Sequence, residues 1–72
     1  MQLEHAKAIA KHLSDQGTVA RVLPGYSGRG MYGETTAGVV APRIQDVSWA
    51  MGHLGIEDTY RSDSMGLGMV IY

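Results

Sequence analysis

The chain contains no cysteine and no phenylalanine. Without cysteine there are no disulfides and no thiolate metal sites. Without phenylalanine, one tryptophan and four tyrosines are the whole aromatic supply. Tyrosine therefore has to furnish most of the aromatic surface of the core, and each buried hydroxyl needs a partner or water. Long apolar runs are missing too: nothing approaches the ~20 residues of a membrane-spanning helix. Positive charge is also scarce. Six Lys and Arg stand against seven Asp and Glu, for a net charge of −1. Nucleic-acid binders usually carry a basic surface, so nucleic acid is not the expected partner. The start of the chain, MQLEHAKAIAKHL, is charged throughout and lacks the apolar stretch of a signal peptide. The expected location is the cytoplasm, with no membrane contact. His5, His12 and His53 do not fall at the spacing of a ligand set, so neither a metal nor another cofactor is expected.

What is present fits one small domain over residues 1–72. A chain of this length buries only about 60% of the surface its unfolded form exposes. Small domains lean on disulfides, metals or association. With the first two excluded, a homodimer is the expectation.

Apolar periodicity marks two helices. Leu3, Ala6, Ile9, Ala10 and Leu13 fall on one stripe of a helix over residues 2–16, and Gly17 suits its C-terminal cap. Ile44, Val47, Met51 and Leu54, with Ala50 beside them, give the second, beginning at Ala41-Pro42 and closed by Gly55. Trp49 lies off that stripe; it either widens the buried face, which is the first expectation, or lies at an interface, where tryptophan is enriched. Strands are expected at TVARVL (18–23), ended by Pro24-Gly25, and at ETTAGVV (34–40). Two more follow at 59–63 and 67–72, joined by a turn at Ser64-Met65-Gly66. The fold class is then α+β: a small antiparallel sheet of two β-hairpins, order α-β-β-α-β-β, with two helices packed on one face.

Between the first two strands lies GYSGRGMYG, which holds four of the ten glycines. Gly28, Gly30 and Gly33 have the spacing of a dinucleotide fingerprint, but that motif opens onto a helix within a βαβ unit. Here a strand follows, and the chain is too short for a doubly wound sheet. A protein-kinase glycine loop is excluded as well, because its lysine, catalytic loop and metal-binding aspartate are missing. A hairpin tip remains, whose backbone N–H groups can approach an anion with no Cβ in the way. Arg29 at its centre can fork onto a phosphate or carboxylate. Tyr26 and Tyr32 offer faces for stacking, and Ser27 a small donor. Arg61 and Asp63, two apart on one strand face, can approach this loop if the hairpins are neighbours. The candidate ligand-binding set is Tyr26, Ser27, Gly28, Arg29, Gly30, Tyr32, Arg61 and Asp63. The plain alternative is a solvated hairpin tip with a surface Arg–Asp pair. Catalysis has little to draw on. Ser27 or Ser64 with His53 and Asp63 would be needed for a triad, and no nucleophile-elbow motif accompanies them. No enzyme activity is expected.

The stretches YSGRGMYG (26–33) and DSMGLG (63–68) resemble a pattern in small proteins of phages and prophages. That resemblance implies an accessory role against host defences. Such a protein either sequesters a nucleotide signal or blocks a host protein, as anti-CRISPR proteins do. The expected function is a non-enzymatic binding protein that holds a nucleotide or other phosphorylated ligand at the glycine-rich hairpin, in the host cytoplasm. The alternative is an inhibitor that binds a host defence protein through the same loop and the sheet face.

Overall fold

A computed structural model describes residues 1–29, 35–58, 60–66 and 68–72, and of residues 27–29 and 35 the backbone alone. The elements run α1 (Leu3–Asp15), β1 (Arg21–Arg29), β2 (Thr35–Ala41), α2 (Ile44–Leu54), β3 (Ser62–Met65) and β4 (Gly68–Ile71). This is the expected α-β-β-α-β-β order. The strands form one antiparallel sheet in the order β1-β2-β4-β3.

Ala6, Ile9 and Leu13 of α1 and Val47, Ala50 and Met51 of α2 pack against Ala37, Val39, Ala41 and Ile71 on one face of the sheet. The alternation of β2 sends Ala37, Val39 and Ala41 to the helices and Thr36, Gly38 and Val40 to the other side. The smallest extent of the molecule, 15 Å, is that of one helix layer on one sheet. The opposite face carries no helix.

Several local expectations are corrected. Among the described residues the core cluster holds no aromatic ring, so none of the described tyrosines furnishes it; small Ala and Val side chains let the helices lie close instead. Trp49 is 73% exposed, because Val47, Ala50 and Met51 already fill the buried face of α2. Leu54 is exposed as well. Ala41 ends β2, and α2 begins only after Pro42 and Arg43. The strand expected at 18–23 begins at Arg21 and runs through Pro24 to Arg29. A proline is tolerated there because β1 is an edge strand, where a missing N–H on the outward side costs no ladder bond. The strand expected at 59–63 sits at 62–65, which leaves Gly66 for the turn.

One polar contact ties the ends of the layers together. The Asp58 carboxylate, in the segment after α2, accepts the Gln2 backbone N–H at 3.0 Å and lies 2.7 Å from His5 Nδ1. A carboxylate only accepts, so His5 Nδ1 carries the hydrogen. Gln2 is the N-cap of α1 and makes no side-chain cap of its own. Asp58 thus caps this helix from a distant part of the chain, where the dipole favours an anion. Residues 1 and 2 also extend the sheet: Ala37 donates its N–H to the Met1 carbonyl at 2.9 Å, and Gln2 bridges Thr36.

Burial works to raise the Asp58 pKa. The hydrogen bonds from His5 and Gln2 and the nearby Met1 ammonium outweigh it, and hold the carboxyl below its ordinary 3.8. A folded-state pKa below the unfolded one gives stability that is complete above the ordinary carboxylate range and lost as pH falls through the folded value. Asp58→Asn is therefore expected to cost about 1–2 kcal/mol at neutral pH. It should also flatten the loss of stability below the ordinary carboxylate pKa of 3.8, read from thermal midpoints across an acid pH series.

Candidate functional site: the open face of the sheet

The site grows from an irregularity in β1. Pro24 stands opposite Ala37 and Arg29 opposite Thr35, so five steps along β1 match two along β2. Gly25 takes the left-handed backbone this needs, with φ +73°. Unbroken alternation from Leu23 would send Tyr26 to the helix side. The odd shift turns it to the open face instead.

There Tyr26 meets Tyr72, the residue after β4, with ring centroids 5.0 Å apart in an edge-to-face arrangement. The two residues are separated by β2, and Gly38 makes the contact possible. A Cβ at Gly38 would lie 2.9 Å from Val70 Cγ2, 3.3 Å from the Ile71 carbonyl oxygen and 3.4 Å from Tyr26 Cβ. The missing side chain is the space that Tyr26 and Val70 occupy. Val70 is fully buried although no helix covers it.

Tyr72 is fixed from the other side. Its hydroxyl donates to Asp63 Oδ2 at 2.9 Å, and its backbone exchanges both hydrogen bonds with Arg61. The bond to Asp63, then partial desolvation, hold the Tyr72 hydroxyl above its ordinary 10.0, while the Arg61 charge pulls the other way. Arg61 thus stands within electrostatic reach of the tyrosine pair.

Three of the expected site residues, Tyr26, Arg61 and Asp63, are therefore gathered around a fourth, Tyr72, at the end of the sheet toward which β1 runs. The gathering is not by strand adjacency. The tail hairpin does lie beside the first, but through β4, while β3 is at the far edge from β1. The apolar GMVI strand takes the central position and the polar SDSM strand the edge, where unpaired backbone faces water. Ser27, Gly28 and Arg29 continue β1, with only their backbone described. Gly30 and Tyr32 lie outside the described residues. Tyr72 was legible in principle: Gly68, Val70 and Tyr72 alternate onto one face.

The triad considered from the sequence is not assembled. His53 sits edge-on to His12 at 5.7 Å in the helix layer, whereas Asp63 faces the opposite side of the sheet. Ser64, the next residue in the strand, points away from Asp63 and toward Met69 Sδ. Among the described residues, no group of His, Asp and Glu is placed to hold a metal ion. Among the described residues no helix is long and apolar enough to cross a membrane.

Beyond the tyrosines the open face shows the partly exposed Val40 beside the buried Val70, between two exposed charged residues. Arg21, Val40, Val70 and Asp63 stand in one row across the four strands. Past it lies a shallow cleft of about 190 Å³ between Val19, Val40, Pro42 and Gly68, with Arg21 at its rim. No family model, curated protein or solved structure matches the chain, so its own geometry has to carry any functional reading.

Two outcomes are expected. Gly38→Ala pushes Val70 and Tyr26 off their positions and lowers stability by about 1–3 kcal/mol, seen as a reduced urea midpoint at unchanged slope. Asp63→Asn returns the Tyr72 hydroxyl toward the ordinary 10.0, which an NMR titration of the tyrosine ring resonances measures.

Proposed function

We propose that this is a non-enzymatic binding protein that holds a nucleotide or another phosphorylated ligand at the root of the β1–β2 hairpin. One observation carries the reading. Tyr26, Tyr72 and Arg61 converge at the end of the sheet where β1 leads into the glycine-rich stretch. Tyr26 keeps 38% of its surface exposed, and base-on-aromatic stacking contributes about 1–3 kcal/mol. Arg61 is a cation with no carboxylate partner among the described residues, free to take a phosphate. Asp63 is engaged by Tyr72, so its part is to hold the platform. Arg29 and the backbone of Gly28 and Gly30 supply further phosphate donors from the hairpin. The phage-type resemblance makes host immune nucleotides, in the host cytoplasm, the first class to screen.

A host defence protein bound through the same hairpin and face is the second reading. The exposed Tyr26 beside Arg61 favours it, since Tyr and Arg are enriched at interface hot spots.

A thermal-shift and native mass-spectrometry panel of mono-, di- and cyclic nucleotides tests the first. Stabilisation by at least one is expected, with affinity reduced tenfold or more in Tyr26→Ala and in Arg61→Ala. No response to any member, together with capture of a host protein at one-to-one stoichiometry, would move the assignment to the second.

A further inference from the structure

We infer that the open face of the sheet is closed by a second copy of this chain, packed face to face about a two-fold axis parallel to the strands. The inference goes beyond the ligand reading and does not depend on it.

The first ground is charge. Arg21, Val40, Val70 and Asp63 form one row, with a cation at one edge, an anion at the other and valines between. Three strand spacings separate the charged ends, roughly 14 Å, so they cannot pair within one chain. Arg21 has no carboxylate partner among the described residues. Rotation by 180° about an axis parallel to the strands, over the middle of that row, exchanges the two edges and keeps the height. Arg21 of each copy then lies over Asp63 of the other, and the partly exposed Val40 side chains of the two copies come together near the centre, beside the buried Val70. Aligned sheets cross at about 30°; at half the row's length this displaces the ends by only a few ångströms, within the reach of an arginine. The Asp63 oxygen that does not accept from Tyr72 remains to receive the guanidinium. A self-complementary row of this kind is what an isologous interface requires.

Size is the second ground. A stable interface takes about 800 Å² from each partner. The broad side of the molecule measures 34 by 28 Å, which accommodates such a footprint. Val19, 79% exposed at the rim of the cleft, adds apolar surface to the same face.

Charge reversal tests this with a sharp signature. Arg21→Asp puts carboxylates at both ends of the row, and Asp63→Arg puts guanidinium groups at both. Each variant alone is expected to dimerise at least tenfold more weakly than the parent in analytical ultracentrifugation. Mixed one to one, they restore both pairs and form a heterodimer of parental affinity, resolved by native mass spectrometry of isotopically labelled chains. Val40→Glu at the centre abolishes association in either background. Circular dichroism on each variant separates a lost interface from a lost fold. A parent that stays monomeric up to its solubility limit overturns the inference. So does a dimer indifferent to all three substitutions, or two weakened variants whose mixture fails to associate. Nucleotide binding by Arg21→Asp reports separately on the ligand reading, because Arg21 is outside the tyrosine cluster.

Discussion

Strand β2 carries nothing larger than valine: Thr35, Thr36, Ala37, Gly38, Val39, Val40, Ala41. The rest of the molecule is arranged on that constraint. On one side Ala37 and Ala41, flanking Val39, let two helices settle close to the sheet, and the helices answer with Ala6, Ala10 and Ala50. A core built from such small groups gains little per residue, about 0.8 kcal/mol for each buried methylene, so close approach has to replace bulk. On the other side the space over Gly38 is filled by Tyr26 and Val70 arriving from the two neighbouring strands. Two of the tyrosines, Tyr26 and Tyr72, are thus placed on the face away from the helices.

Two residues at chain-distant positions hold this arrangement at its ends. Asp58 fastens the segment after α2 to the start of α1, and Asp63 fastens Tyr72 to β3. The other ion pairs among the described residues, Lys11–Asp15 and Arg43–Asp46, are local to one helix and its first turn. Exposed pairs of that kind contribute little. Asp58 differs because its partner His5 is shielded as well, the two at 14% and 29% exposure against 71% for Arg43, and because it satisfies a helix N-terminus that has no side-chain cap. In a two-layer molecule with few long-range polar contacts, a carboxylate that joins distant chain segments does what a disulfide does in other small domains.

Both helices were legible from the sequence because their apolar residues recur at helical spacing, and the buried residues of α1 are four of the five on the expected stripe. The element order was legible for the same reason. The bounds of the edge strands were not. β1 passes through Pro24 and Gly25, and β3 is the polar run Ser62–Met65. Neither shows the alternation of a half-buried strand, because an edge is held by its neighbour's backbone more than by its own side chains. Trp49 misled through its size: the stripe beside it already filled the available face. That Arg61 and Asp63 share one face was legible from their spacing. Tyr72 was missed because the last strand was treated as uniformly apolar. The side of the sheet that Tyr26 takes depends on the register shift at Gly25, which no local pattern announces.

The register shift also connects the two ends of the open face. Had β1 kept its alternation, Tyr26 would compete with α1 for the core, and the face over Gly38 would be a shallow furrow floored by Val70. Turned outward, Tyr26 raises a wall at the hairpin end, while the other end stays low at the Val19–Pro42 cleft. A second copy rotated about an axis parallel to the strands keeps like ends together, so two tyrosine walls meet at one mouth and two low ends at the other. Twisted sheets diverge at their corners, and β1 runs to Arg29 toward such a corner. A ligand held by Tyr26 and Arg61, as proposed, would then sit at the rim of the paired faces rather than between them. Closing the apolar row and keeping a polar, aromatic mouth are in that geometry compatible uses of one surface.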